Sequence, residues 1–576
     1  MGPGPGEKGC AIIFKGTPKD IIQADTLTAR YLSGRERISA TATHRKINAK
    51  TPSLILKGAR QHNLKDISPR FPIGVLTVVT GVSGSGKSTL IENILVPALY
   101  KAKGMPTESP GQFKELIGAD LIENIHYVDQ SPIGKTTRSN PASYVGAFDA
   151  IRNLFAQTDT AKVRDYKAGT FSFNSGDGRC PVCGGNGFEH IEMQFLSDVY
   201  LRCSACNGTR YRPEILEVTI EREGKSFNIA DVLDLSVSQA CELFKNDPDI
   251  VSQIAPLRKV GLDYIKLGQP VPTLSGGEAQ RLKIAGFLAQ KNSQASKNDL
   301  FIFDEPTTGL HFDDIDKLMR SLQERIDRGN TAIVIEHNLD VINSADSVID
   351  LCSEGGNAGG EIVVQGTLDD LIAEKKSYTG QALQTYRKTL TQENTSAYFI
   401  EESAKNAALT TATAASDVIA IKGAKEHNLK NISVDIPHNR FTVVTGASGS
   451  GKSTLAFDIV FKEGQRRYLE SLNAYARSIV QPASKPDVDS ITGIAPTVAI
   501  EQRTSRGGRK STVATMTELY HFMRLLFVKL GHQYCPDCGV EVEPKSFPAI
   551  VSTVMSRYKN EAIHIMAPLV SKRKGI

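Results

Sequence analysis

Four short apolar, β-branched runs punctuate the chain, and each ends in residues suited to phosphate chemistry. LTVVT (Leu76–Thr80) and FTVVT (441–445) run into glycine-rich loops. LFIF (300–303) runs into Asp304-Glu305, and TAIVI (Thr331–Ile335) leads to His337 just beyond it. Runs of this length and composition predict strands. The segment after each glycine loop can be helical, and the one opening at Ser275-Gly276-Gly277 reads as an amphipathic helix. Strands alternating with helices predict an α/β fold.

Both glycine loops are P-loops. The first is Gly81-Val-Ser-Gly84-Ser-Gly86-Lys87-Ser88-Thr89 and the second Gly446-Ala-Ser-Gly449-Ser-Gly451-Lys452-Ser453-Thr454. The repeat is wider than the loops, because KGARQHNLKDI from Lys57 realigns with KGAKEHNLKNI from Lys422. Glycines let backbone N–H groups curl around phosphates, Lys87 and Lys452 reach the β/γ oxygens, and Ser88 and Ser453 are placed to ligate Mg²⁺. A coincidental glycine turn would not repeat with matching flanks, so two ATP sites are expected.

Only the first loop is followed by further ATPase pieces. Gln130, in YVDQSPIG, is a candidate for contacting Mg²⁺ or an attacking water, although such a residue is more often plain polar surface. Leu274-Ser275-Gly276-Gly277-Glu278 presents a hydroxyl and N–H groups at a helix start, where a phosphate binds well. Asp304 closes an apolar strand and can hold Mg²⁺ through water, while Glu305 can polarise the water that attacks the γ-phosphate. Two acids there could instead cap a helix, but Pro306-Thr-Thr-Gly309-Leu310-His311 follows. His337, past the next strand, is suited to the γ-phosphate. A phosphate loop, LSGGE signature, acidic strand and trailing histidine, in that order, resemble the ABC-type ATPases. There two cassettes sandwich two nucleotides, each between one P-loop and the other cassette's signature.

Composition adds exclusions. The chain has 576 residues, 40% hydrophobic and 23% charged, enough for several domains of an ordinary globular protein. The formal charge of +5 permits nucleic-acid binding without arguing for it. No apolar stretch is long enough to span a membrane, and the first ten residues do not form a secretory signal. A reducing cytoplasm therefore fits the nine cysteines. Four of them, in Cys180-Pro-Val-Cys183 and Cys203-Ser-Ala-Cys206, have the spacing of a tetrahedral Zn²⁺ site, with a reduced dithiol or iron–sulfur site as alternatives. The residues between the pairs alternate enough to form a hairpin. Cys535-Pro-Asp-Cys538 is half of such a site, for which His532 is a candidate third ligand.

A zinc-pinned hairpin between a P-loop and its signature looks like the UvrA family, the damage-sensing ATPase subunit of bacterial nucleotide excision repair. GRCPVCGGNGFEHIEMQFLSDVYLRCSACNGTRY, LGQPVPTLSGGEAQRLKIA and DQSPIGKTTRSNPASYVGAFD resemble the C-terminal half of such proteins. LAFDIVFKEGQRRYLESLNAYARSIV, KPDVDSITGIAPTVAIEQRT and HQYCPDCG resemble the N-terminal half. The resemblance implies ATP, Mg²⁺ and Zn²⁺ as cofactors. It also implies damaged double-stranded DNA as ligand, a homodimer, and a helicase-like excinuclease partner subunit. Gln502 is then the second cassette's candidate counterpart of Gln130.

The order of the halves is reversed relative to the family. GPGPGEKGCAIIFKGTPKDII, from Gly2, also matches GGNAGGEIVVQGTLDDLI, from Gly355. The expected organisation is therefore a tail of a preceding cassette (1–37), a linker (38–50), a cassette (51–390), a second linker (391–417) and the first part of another cassette (418–576). Within 51–390 lie a zinc module at about 165–215 and a helical signature region at about 216–295. This predicts part of a longer, tandem or permuted UvrA-like polypeptide. Neither composite ATP site is complete on it, so nucleotide binding is expected, with hydrolysis dependent on parts from elsewhere. DNA damage recognition rests on the resemblance, since no basic run interleaved with aromatics marks a nucleic-acid groove. SRGGRKS from Ser505 reads as a solvated loop before a phosphate contact. The alternatives are a UvrA-like paralogue that protects DNA from a drug, and a nucleotide- and DNA-binding scaffold without turnover.

Overall fold

The protein is described by a computed structural model that covers residues 1–576 except 5, 7–8, 39–43, 130–132, 134–137, 192–198, 290–296, 352–353, 392–416, 472–484, 501–511, 543–544 and 567–576. Gln130 and Gln502 lie outside the described residues. The chain divides into one unit at Met1–Thr504 and a second at Ser505–Ile576.

The three apolar runs of the first cassette form the middle of a six-stranded sheet. Its order is Ile362–Gly366, Ser347–Leu351, Leu76–Thr80, Thr331–Ile335, Leu300–Asp304, Ile125–Val128. All neighbours are parallel except the Ile362–Gly366 edge. The strand leading to the first P-loop is buried along its whole length, as a parallel strand covered on both faces must be. Val79, Ile302, Ile333 and Ile335 join one core with Leu90 and Ile94 from the helical turns after the P-loop. Val78, Phe301, Phe303 and Val334 face the other core, which continues into the signature region. Parallel register sets the ends of adjacent strands side by side, with Val79 opposite Ile335 and Asp304 also opposite Ile335. The P-loop, Asp304 and His337 therefore emerge on one edge.

A small antiparallel sheet, with Ser53–Lys57 between Arg70–Pro72 and Glu115–Ile117, flanks this core. The predicted hairpin between the cysteine pairs forms from Phe188–Ile191 and Val199–Arg202. The signature region is not purely helical. A second hairpin, Thr219–Arg222 with Lys225–Asn228, precedes helices Pro248–Lys259 and Gly276–Ala289. Gly224 at positive φ makes its tight turn.

The second repeat forms the matching antiparallel sheet, with Val418–Ala424 between Ile432–Pro437 and Ser490–Thr492. Its FTVVT run does not form the predicted strand. Leu76 and Val78 are fully buried between neighbouring strands, whereas Phe441 is 96% and Val443 68% exposed. Among the described residues no strand pairs with 441–445, and an apolar run without ladder partners does not satisfy its backbone as a strand. The second unit holds helices Leu519–Leu530 and Phe547–Arg557, with the Cys535–Cys538 knuckle between them. Among the described residues no helix is long and apolar enough to cross a membrane.

Candidate nucleotide sites and zinc centre

At the first P-loop, Gly81 has φ 133°, and a Cβ there would sit 2.0 Å from the Leu351 carbonyl, so only glycine fits. Lys87 is almost buried, and its Nζ donates to the carbonyls of Gly81 and Val82, both at 2.8 Å. Burial pushes its ammonium below the ordinary lysine range, against the pull of Glu305, Asp350 and Asp304. Three carboxylates acting on one buried lysine make a site suited to a metal-bound phosphate. Ser88 and Thr89 follow the loop, and π-helical turns run from Thr89 to Leu95.

Asp304 is buried at the end of its strand, and Glu305 follows with φ 46°, a left-handed conformation that costs energy for a residue with a side chain. His337 Nε2 lies 3.5 Å from Glu305 Oε1. The acid and the histidine are thus brought together beside Lys87. Sequence reasoning missed the residue that holds this turn. Glu336, 3% exposed, accepts from the backbone N–H groups of Thr307, His337 and Asn338 at 2.8–3.0 Å, and from the Thr307 hydroxyl. The signal was its place directly before His337.

The signature serine starts a capping box: the Ser275 N–H donates to Glu278 Oε2 at 2.8 Å, and the Glu278 N–H donates to Ser275 Oγ at 3.4 Å. Gly276 and Gly277 open the helix, with Gly277 against Gly309 and Leu310. Glu278 also accepts from the Tyr264 hydroxyl at 2.5 Å, and that hydroxyl accepts from Arg281 Nη2 at 3.2 Å. Arg281, fully buried, reaches Asp314 Oδ1 at 3.0 Å.

This chain of groups ends on the second P-loop. Asp314 Oδ2 accepts from Ser448 Oγ at 2.7 Å and from its N–H at 3.3 Å, while the Tyr264 ring lies against Gly449. Lys452 donates to the carbonyls of Gly446 and Ala447 at 2.8 and 2.9 Å, as Lys87 does in the first loop. Burial lowers its ammonium, and Asp314 and Glu278 oppose this. The second loop, with Gly446, Gly449, Gly451, Lys452, Ser453 and Thr454, therefore sits beside the signature helix. Asp314, Tyr264 and Arg281 were not singled out from sequence. Acids in the first helical turn usually read as dipole or capping residues, and the partner in this case lies far along the chain.

Cys180, Cys183, Cys203 and Cys206 place their sulfurs within 4.8 Å of one another. Cys183 and Cys206 are 3.7 Å apart, and the Gly187 N–H donates to Cys183 Sγ at 3.2 Å. Backbone N–H groups aimed at sulfur favour thiolates, and four convergent thiolates fit tetrahedral Zn²⁺. Arg210 ties the knuckles to the signature region. It lies 4.9 Å over Phe173 and donates to the Gly268 carbonyl at 3.0 Å, and burial lowers its guanidinium to about 10. Cys535 and Cys538 form a knuckle turn, with the Gly539 N–H donating to the Cys535 carbonyl at 2.8 Å.

No family model matches the chain. It is 50% identical over 387 residues to UvrABC system protein A of Clostridium perfringens, a match covering 67% of this chain and 40% of that one. It is 48% identical over 384 residues to UvrABC system protein A of Methanothermobacter thermautotrophicus, covering 66% of this chain and 39% of the relative. The crystal structure of UvrA2 from Deinococcus radiodurans superposes with a TM-score of 0.60 at 42% identity, covering 67% of this chain and 45% of that one. The chain thus spans about two-fifths of the length of the relatives it matches.

Proposed function

Since the chain belongs to the UvrA family, we propose that it binds ATP at paired ABC-type sites and serves in recognising damaged DNA during nucleotide excision repair. One observation carries the paired-site reading: Asp314 of the first cassette binds Ser448 of the second P-loop. The first site supplies Lys87, Ser88 and Asp304 to MgATP, Glu305 to orient the attacking water, and His337 to the γ-phosphate. The second supplies Lys452, Ser453 and Thr454, with Ser275–Gly277 on the facing surface. Gln130 and Gln502 are proposed as water- or metal-contacting residues of the two sites.

A specific observation also bears on turnover. The first site has the acid and histidine, while the sequence holds one LSGGE motif, assigned in this reading to the second loop because Tyr264 and Asp314, which bond Glu278 and Arg281 of its helix, contact that loop. The second site has the signature, but among the described residues no acidic strand lies beside 441–445. Binding at both sites, with hydrolysis completed by another polypeptide segment or a second subunit, fits this division. Cys180, Cys183, Cys203 and Cys206 would hold a structural Zn²⁺ that fixes the hairpin, and Cys535 with Cys538 would give half of a second site. The proposed partners are damaged duplex DNA, a second copy and a helicase-like excinuclease subunit.

Steady-state ATP turnover of the full chain, with and without lesion-bearing duplex, tests the reading. DNA-stimulated turnover that is lost in Lys87→Ala supports it. ATP binding with no turnover under either condition would leave a nucleotide-binding scaffold, and absence of ATP binding would refute it.

A further inference from the structure

The segment that walls the first P-loop has a counterpart at the second, and it comes from the other end of the chain. A P-loop turns its N–H groups inward to phosphate, so its carbonyls face outward and need donors of their own. At the first loop Gly356 and Gly360 are such donors, the latter to the Ser85 carbonyl at 3.1 Å, and further bonds hold their segment in place. The Gly356 N–H donates to the Gly84 carbonyl at 3.0 Å, the Gly359 N–H donates to the Gly356 carbonyl at 3.0 Å, and the Lys65 N–H donates to the Gly360 carbonyl at 2.9 Å. The Leu351 carbonyl closes over Gly81, and the Gln365 side chain accepts from the Arg70 N–H at 3.2 Å.

At the second loop Met1, Gly6, Gly9 and Cys10 make counterparts of the contacts of Leu351, Gly356, Gly359 and the Gly360 carbonyl. The Gly6 N–H donates to the Gly449 carbonyl at 3.0 Å, the Gly9 N–H donates to the Gly6 carbonyl at 2.9 Å, and the Lys430 N–H donates to the Cys10 carbonyl at 3.1 Å. The Met1 carbonyl closes over Gly446, where a Cβ would lie 2.1 Å from it, and Lys15 Nζ pairs with Asp435 at 3.1 Å. A capping box follows in both segments, Thr367 with Asp370 and Thr17 with Asp20. Every partner on the loop side is shifted by one constant interval, and every partner on the wall side by another. Fortuitous packing of a terminal tail would not keep both registers through four backbone contacts.

The segment then continues to the first cassette. Thr28 Oγ1 lies 3.0 Å from His311 Nε2, and the Tyr31 ring stacks on Phe312 at 5.5 Å. Asp314, two residues beyond Phe312, holds Ser448.

We propose that Met1, Gly6, Gly9, Cys10 and Lys15 belong to the closing wall of the second nucleotide site and so to its phosphate-binding apparatus. The proposal rests on the reading of Lys452 as a nucleotide ligand.

The test combines binding stoichiometry of a fluorescent ATP analogue with mass-spectrometric alkylation of Cys10 in the full chain. Cys10 is 2% exposed and lies against Gly451. It should alkylate at least about tenfold more slowly than exposed Cys538, and MgATP should slow it further in wild type but not in Lys452→Ala. Gly9→Val places a Cβ 2.1 Å from the Gly4 carbonyl and 3.2 Å from Ser450 Cα, so it should unseat the wall. It should expose Cys10 and remove the nucleotide that Lys452→Ala also removes. Lys15→Glu, which sets like charges against Asp435, should weaken that nucleotide's affinity while preserving the fold. If Lys452→Ala removes a nucleotide but both wall variants keep it and Cys10 reacts like Cys538, the wall is refuted and the site stands. If Lys452→Ala removes none, the nucleotide reading of this loop fails and takes the wall with it.

Discussion

Asp314→Ala tests the paired-site geometry at its most buried point. Arg281 is fully buried and Asp314 is 4% exposed, so the carboxylate compensates a guanidinium with no access to water. Breaking such a pair from one side costs roughly 3–5 kcal/mol. Arg281 keeps the Gly261 carbonyl at 2.9 Å, the Val260 carbonyl at 3.3 Å and the Tyr264 hydroxyl, which places the loss near the lower end, about 3 kcal/mol. Loss of the acceptor for Ser448 adds about 1 kcal/mol. Urea unfolding of the full chain with zinc present, followed by circular dichroism, should show the first transition shifted down by about 1 M, taking a slope near 3 kcal/mol/M. Asp314→Asn keeps an acceptor and should lose about half as much free energy, roughly 2 kcal/mol. Acid titration gives a second reading. Burial pushes the Asp314 carboxyl up, but Arg281 and the Ser448 hydroxyl more than offset this and hold it below its ordinary value. Its stabilisation is therefore present above the unfolded carboxylate pKa, about 4, and is lost as pH falls through the lower folded value. Asp314→Asn should flatten that acid limb. A loss in Asp314→Ala below about 0.5 kcal/mol, the size of an ordinary surface substitution, would refute the buried network and with it the docking of the second P-loop.

Three further outcomes are expected. Glu305→Gln should keep ATP binding and cut any measurable turnover by about 10²–10⁴, as a single-turnover assay would register; unchanged turnover would remove Glu305 from the chemistry. Glu336→Ala leaves the Thr307, His337 and Asn338 N–H groups without their acceptor and should lower stability by about 2 kcal/mol or more in the same urea assay, with turnover falling too. Cys183→Ser should abolish the zinc released to a colorimetric chelator on denaturation and lower the melting temperature, whereas an unchanged zinc content would place the metal elsewhere.

What the sequence made legible is what local pattern controls. The P-loop glycines, the runs at Leu300–Asp304 and Thr331–Ile335, and the hairpin between the cysteine pairs each depend on residues a few positions apart, and each forms. Asp314 gave no such signal, since its partners Arg281 and Ser448 lie 33 and 134 residues away. The run at 441–445 marks the opposite limit. Its composition matches Leu76–Thr80 nearly residue for residue, yet one is a fully buried strand and the other an exposed segment. Strand propensity reports how well a sequence fits a pleated surface once neighbours exist. Thr331–Ile335 and Ser347–Leu351 are those neighbours for the first loop. The second loop meets different neighbours on its other side: Tyr264 and Asp314, which bond Glu278 and Arg281 of the signature helix, and the amino-terminal wall through Gly6. Its surroundings are therefore assembled from separate parts of the chain, although among the described residues no strand pairs with the 441–445 run behind it. If wall and signature suffice to hold the loop, ATP will bind there before any acidic strand is supplied. Nucleotide affinity at Lys452 will then respond to Gly9→Val and Asp314→Ala, with no requirement for turnover.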